Sequence, residues 1–155
     1  VGHLVADTVA AQLRKAIKSQ VLSGQRSTHF SKESDSRRKY LLRQFRKLGC
    51  VSIFVVIRNH STRASRQIAI STLLAVSGEF DIHTLIFDLD ETTYLADREL
   101  IRRYNEPRIP NFVHFDFKRR NEEPLLWVAD GVAWALNRGG DWLTRIDALK
   151  LESPP

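Results

Sequence analysis

Apolar residues recur every four positions in several parts of the chain, which is the spacing of an amphipathic helix. The first such stretch covers residues 6–22, and Gly24 ends it. Similar patterns predict helices over residues 36–48, 61–78, 96–105 and 125–138. Ser34 or Asp35 is expected to cap the second of these helices. Gly139 and Gly140 should end the last one.

Continuous apolar runs over residues 51–57 and 83–88 predict strands covered on both faces, which is typical of parallel sheets. Residues 111–117 alternate instead, as in an edge or antiparallel strand, and two short strands are expected at residues 1–5 and 27–30. Because strands alternate with helices, the fold class is predicted to be α/β, with a mostly parallel sheet flanked by helices. One domain should cover residues 1–150, followed by a disordered tail at 151–155.

Composition is that of a soluble globular protein, with 155 residues, 43% apolar and 27% charged. Cys50 is the single cysteine and is expected to be a buried, inert thiol in a reducing compartment. No basic, apolar leader opens the chain, and no apolar run reaches the span of about 20 residues that a membrane helix needs. We therefore expect a cytoplasmic protein without a membrane partner. Because the chain starts at Val1, we expect either a valine start codon or a missing first strand.

Charge is divided unevenly along the chain. Residues 1–80 contain 14 Lys and Arg against 4 Asp and Glu, whereas residues 81–155 contain 10 against 14. This asymmetry indicates an anionic ligand steered toward carboxylates that could hold divalent cations, although ordinary solvated helix faces explain it equally well.

The helix predicted at 36–48 is strongly basic on one side. That side could follow a nucleic-acid backbone, and a solvated basic face is the simpler alternative. Phe45 falls on the apolar side, so no stacking on bases is expected. The basic residues are Lys39, Arg43, Arg46 and Lys47.

Asp88 ends a predicted covered strand, and ligands of open α/β sheets bind beyond the ends of such strands. The segment "DLDET" resembles motif one of the haloacid-dehalogenase-like phosphatases. That resemblance implies Asp88 as nucleophile and Asp90 as general acid and base. In that family the motif opens the domain, whereas here it follows the midpoint and the later motifs are not recognisable. In the alternative interpretation, Asp90 and Glu91 are loop residues before a helix.

Asp130 is the only charged residue between Leu125 and Leu136, in a helix that is apolar all round and should therefore be buried. Trp127 and Trp134 share its face. An isolated buried carboxylate is costly, so Asp130 needs a partner, either an arginine or backbone amide or a metal ion. Its neighbour Gly131 would allow another backbone to approach, as in a helix pressed onto a sheet.

Several common motifs do not occur. The sequence contains no GxxxxGK[ST], GxGxxG, GxSxG or HExxH motif and no cluster of cysteine and histidine. These observations argue against a nucleotide triphosphatase, a dinucleotide enzyme, a serine hydrolase of the usual α/β kind and a zinc site.

Three segments together resemble an uncharacterised bacterial family with a ribonuclease-H-like fold. They are "HFSKESDSRRKYLL", "LIFD" followed by "DREL", and "EEPLLWVADGVAWAL" followed by "GGDW". The resemblance implies a nuclease that uses Mg²⁺ or Mn²⁺ to cleave nucleic-acid phosphodiesters. It implies Asp88 and Asp130 as catalytic metal carboxylates, with Glu33 and Asp97 as further ligands. The family's first strand, with its Asp-Glu pair, has no counterpart here. A non-catalytic domain of the same fold that binds nucleic acid or protein is therefore the alternative.

Overall fold

The computed structural model describes residues 2–4, 7–53, 62–80, 82, 84–106, 113–147 and 149. Its elements show a mixed α/β chain, which confirms the coarse fold class. In chain order they are β1 (Gly2–Leu4), α1 (Asp7–Lys18), a 3-10 turn (Phe30–Lys32), α2 (Asp35–Lys47), β2 (Val51–Ile53), α3 (Thr62–Glu79), β3 (Thr84–Asp88), α4 (Tyr94–Asn105), β4 (His114–Lys118), α5 (Leu125–Arg138) and α6 (Asp141–Asp147).

Contacts divide the chain into two compact units. The first unit combines residues 1–54 with 119–153, and the second contains residues 55–118. The single domain over residues 1–150 stays a prediction. The predicted tail at 151–155 and the second half of the strand predicted at 51–57 lie outside the described residues.

Strand direction differs from the sequence prediction in two places. β2 was expected in a parallel sheet, but it pairs antiparallel with β1. β4 was expected to be an edge or antiparallel strand. It is an edge strand of a two-stranded sheet in the described residues, but it is not antiparallel, because it pairs parallel with β3, with Asp88 opposite Lys118. The intervening helix α4 accounts for the second difference, because a helical crossover returns the chain to start the next strand in the same direction.

The alternation within β4 reflects its two faces. Phe115 and Phe117 pack on the cluster formed by α3 and α4, whereas His114 and Asp116 are exposed. The Phe117 ring stacks on Phe87 of β3, with 5.4 Å between the ring centroids. An alternating pattern therefore marks a sheet with one covered face and does not by itself give the strand direction.

The first unit is built around α2 and α5. The buried side of α2 packs with buried residues of α5, which gives this unit its main core. The carboxylate of Glu123, just before α5, is 1% exposed and receives the Arg14 guanidinium at 2.8 and 3.0 Å. The core residues include Leu41, Leu42, Phe45, Trp127, Val128 and Val132.

The strand predicted at residues 27–30 is wrong. Phe30 begins a 3-10 turn instead, and its ring is fully buried in the core of the first unit. Its backbone N–H donates to the Asp130 carboxylate, and the Lys32 N–H donates to the His29 carbonyl. The donor that a strand would use for pairing is therefore already occupied.

Two further findings concern predictions from composition. Cys50 is 2% exposed, which confirms the expected buried thiol, and burial raises its pKa to about 11. In the described part of the chain, no helix combines the length and apolar character needed to cross a membrane.

Candidate functional site

Asp130, which the sequence marks as a candidate metal ligand, is held by donors of the protein itself. Its Oδ2 accepts the backbone N–H of Phe30 at 3.0 Å and lies 3.0 Å from the Arg120 guanidinium. The Nδ1 atom of His29 lies 3.4 Å from the same oxygen. Of the two kinds of partner expected for Asp130, the described structure contains the arginine and the backbone amide.

The surroundings of Asp130 fit a divalent cation poorly, because a metal on this carboxylate would lie close to the Arg120 guanidinium, which carries the same sign of charge. The expectation that this carboxylate is buried is also wrong. The Asp130 side chain is 20% exposed. Trp127 donates from Nε1 to the Arg120 carbonyl at 2.7 Å. The other indole, of Trp134, packs on Phe30 with 6.4 Å between the ring centroids.

Gly131 contacts a ring and not a strand. A Cβ atom at this position would lie 2.6 Å from Cζ of Phe30, closer than carbon atoms approach in folded proteins. The close approach predicted at Gly131 therefore exists, but the partner is the side chain of Phe30 in the 3-10 turn. This contact explains how α5 lies near enough for Asp130 to accept the Phe30 amide.

Asp97, a second predicted metal ligand, forms a structural ion pair within the second unit. Arg66 donates to it from Nε at 2.9 Å and from its terminal nitrogen at 2.7 Å, and Thr93 Oγ1 donates at 3.0 Å. Asp97 is 4% exposed. The hydrogen bond with Asp97 raises the pKa of Arg66, and the negative charges of Asp90 and Asp88 contribute to this rise. The neighbourhood of these carboxylates therefore contains a permanent guanidinium charge.

Asp88 ends β3 next to β4, and the N–H of the following residue, Leu89, donates to the Lys118 carbonyl at 3.0 Å. This places Asp88 at the carboxyl end of a parallel strand, as the sequence predicts. Asp88 belongs to the second unit and Asp130 to the first. A metal site shared by these two carboxylates stays a prediction.

Asp90 shapes the turn after β3. Its Oδ1 accepts the Thr92 N–H at 3.0 Å and the Thr92 hydroxyl at 2.6 Å, and its carbonyl accepts the Tyr94 N–H at 2.9 Å. The bonds from Thr92 hold the pKa of the exposed Asp90 carboxyl below its ordinary value. These contacts are those of a loop residue before a helix. A phosphatase that uses Asp88 as nucleophile and Asp90 as acid and base stays a prediction.

Glu33, the remaining predicted ligand, follows the 3-10 turn and lies 3.5 Å from the Gln25 side-chain amide. Within the described ranges, no group of three or more His, Cys, Asp or Glu residues is arranged to hold a metal ion. The Mg²⁺ or Mn²⁺ cofactor therefore stays a prediction.

An open cleft of about 620 Å³ lies in the second unit, beginning one residue beyond Asp88. Three aromatic rings, one arginine and two carboxylates contribute to its wall. Asp88 does not line it, so the cleft adds no observation to the phosphatase or nuclease hypotheses. The lining residues are Leu89, Glu91, Tyr94, Arg98, Phe115, Asp116 and Phe117.

The basic side of α2 is arranged as the sequence predicts. The Ser34 hydroxyl caps the helix by accepting the Arg37 N–H at 3.3 Å, and the apolar side is buried. The four predicted nucleic-acid-binding side chains are all exposed, and in the part of the chain that the structure describes none of them pairs with a carboxylate. They are Lys39, Arg43, Arg46 and Lys47. Their charges are therefore available to an anionic ligand.

Sequence reasoning missed α6 and its aromatic residue Trp142. Lys39 Nζ lies 5.8 Å from the centroid of the Trp142 ring, although the two residues are far apart in the sequence. A signal for the start of α6 was present in the sequence. Glycine at 139 and 140 ends one helix, and the acidic Asp141 that follows favours the first turn of the next.

Comparison with known proteins gives no match. No family model matches the chain, and neither the curated proteins nor the solved structures contain a significant match. The resemblance to a ribonuclease-H-like family stays a prediction.

Proposed function

We propose that this protein binds nucleic acid through the basic face of α2, which contacts the phosphate backbone. The observation that carries the proposal is the set of four exposed, cationic side chains on one side of α2, without a carboxylate partner in the described residues. Lysine and arginine that neutralise phosphates release condensed counterions, which supplies most of the free energy of sequence-independent binding.

The spacing of the cations along α2 supports the proposal. Lys39, Arg43 and Lys47 follow one another at four-residue spacing, and like charges at that spacing repel by a few tenths of a kcal/mol per pair in a helix. A bound polyanion would offset this repulsion, because each cation would then lie next to a phosphate. The finer fold, a ribonuclease-H-like domain, belongs to the same proposal. Its support is the parallel β3–α4–β4 crossover and the following helix α5.

The test compares two double variants that remove equal charge. Arg43→Gln with Arg46→Gln removes two proposed phosphate contacts, so affinity for a labelled single strand should fall on the order of tenfold. The slope of log affinity against log salt should become shallower by about 1.4, at about 0.7 per lost contact. The measurement is fluorescence anisotropy over a series of salt concentrations.

Arg102→Gln with Arg103→Gln in α4 is the matched control, because both of these arginines already pair with Glu99. The control should bind within about twofold of the unmodified protein. Equal losses in the two variants would show attraction by net charge alone and would contradict a site on α2. The same assay with Mg²⁺ tests the nuclease hypothesis, for which cleavage abolished by Asp88→Asn is the supporting result.

A further inference from the structure

Trp142 lies at the edge of the basic face of α2, within the first unit. Lys39 Nζ and Arg145 Cζ each lie over its ring, 5.8 Å from the centroid. Both cationic residues are exposed and the indole is partly exposed. The surface therefore combines one aromatic ring with two cations, and Lys39 also belongs to the proposed phosphate-binding residues.

The Trp142 ring packs against a second indole. Its indole meets that of Trp134 edge to face, with 4.8 Å between the ring centroids and an interplanar angle of 89°. Trp134 itself has the Arg38 guanidinium 4.3 Å from its ring centroid. A ring fixed by such contacts loses little conformational entropy when a planar ligand stacks on it.

We infer that Trp142 is a stacking site for an unpaired nucleobase, and that the exposed Lys39 and Arg145 side chains move from over the ring to hold the neighbouring phosphates. The inference rests on the proposed function and names its ligand class, which is single-stranded nucleic acid. Aromatic rings bind the π-face of any base, whereas a duplex keeps its bases stacked inside. The basic residues of α2 supply attraction to the backbone, and the indole supplies preference for strands with accessible bases.

Two single strands of equal charge, one with bases and one abasic, test this inference on the unmodified protein. An oligothymidylate strand should bind at least about fivefold more tightly than an abasic strand of the same length, because one stacked base is worth about that factor or more. A duplex should gain no affinity from stacking on Trp142, because its bases are already stacked inside it. Comparing the affinities for oligothymidylate and oligouridylate distinguishes DNA from RNA as the preferred strand. Tryptophan emission should be quenched by the strands with bases and not by the abasic strand.

Protein variants assign the effect to one ring. Trp142→Leu should reduce affinity for oligothymidylate to that for the abasic strand and leave the abasic affinity unchanged, whereas Trp142→Phe should retain most of the difference. Trp127→Phe is the matched control for the loss of one indole, because Trp127 is 1% exposed, and it should retain the preference. If Trp142→Leu does not fold, the comparison of ligands on the unmodified protein and the Trp142→Phe variant test the stacking site.

The outcomes separate the two proposals. Equal binding of the oligothymidylate and abasic strands would overturn the stacking site and leave phosphate binding by α2 intact. A preference for bases that persists in folded Trp142→Leu would place the stacking elsewhere and also overturn the inference. Absence of binding to every ligand would overturn the proposed function itself.

Discussion

Helices α2 and α4 are similar in length, 13 and 12 residues, and both carry two basic residues in the last turn, but their charges are used differently. In α4, Arg102 pairs with Glu99 at 3.0 Å and also with Glu106. Arg103 pairs with the same Glu99 at 2.7 Å. In α2, the corresponding exposed residues have no carboxylate partner in the described part of the chain.

The difference arises from what stands three or four positions away from each cation. α4 places glutamates at those positions, so its arginines form i,i+3 and i,i+4 pairs. α2 places further cations there, as with Lys39, Arg43 and Lys47. The count of lysine and arginine in a helix therefore does not determine its attraction for anions, because pairing within the helix removes much of it.

Breaking the ion pair between Asp97 of α4 and Arg66 of α3 should give the largest effect. Asp97→Asn removes the negative charge that holds Arg66, and the free energy of unfolding should fall by about 2 kcal/mol. Loss of a fully buried pair would cost more, but Arg66 is 37% exposed and water replaces part of the interaction. Urea unfolding followed by circular dichroism measures the change.

Asp35→Asn in α2 is the matched control for that measurement. Asp35 pairs with Arg38 at 2.6 Å, but its side chain is 65% exposed. Its loss should therefore cost less than about 1 kcal/mol. Equal costs for the two variants would show that the Arg66–Asp97 pair contributes no more than a surface pair.

Giving α2 the charge pattern of α4 should weaken nucleic-acid binding. Lys47→Glu places a carboxylate four residues after Arg43, so one phosphate contact is lost and a second cation is neutralised. Affinity for a single strand should fall about tenfold, against about threefold for Lys47→Gln. Anisotropy at low salt measures both values. Equal effects of the two substitutions would indicate that pairing within the helix does not control binding.

The smallest predicted effect is the loss of the Glu99 ion pairs in α4 at low pH. The hydrogen bonds from Arg102 and Arg103 lower the pKa of Glu99 from 4.5 to about 2. Its contribution to stability is present above pH 4.5 and is lost as the pH falls through about 2. Carbon-13 NMR of the Glu99 carboxylate should show this midpoint in the unmodified protein. In Arg102→Gln with Arg103→Gln the midpoint should return toward 4.5, and a midpoint near 4.5 before substitution would contradict the pairing.

Local patterns predicted most helices correctly because the signals lie within the helix itself. The Ser34 cap, the buried Leu41 and Phe45 and the exposed cations of α2 all follow from the spacing of residues along one segment. The strand direction of β4 did not follow, because it depends on how α4 crosses between strands. Burial of alternate residues is the same in either direction.

The candidate site was less predictable because it depends on residues distant in sequence. The need of Asp130 for a partner was predicted, but the identity of the partners was not, because Arg120 and the Phe30 amide come from other segments. The contact between Trp142 and Lys39 was missed for the same reason. A sequence reveals that a carboxylate needs a donor or that a helix has a basic side, and only the folded chain reveals which groups meet there.

The contact between Gly131 and Phe30 has a consequence for how this sequence can diverge. A Cβ at position 131 would collide with the Phe30 ring, so Gly131 cannot gain a side chain while Phe30 is retained. A descendant with alanine at 131 would need a smaller side chain at 30, and the two substitutions would have to be inherited together. The same ring supports Trp134, so such a paired change would also reposition the aromatic residues beside α2. Selection on the core and selection on the surface are therefore linked through a single glycine.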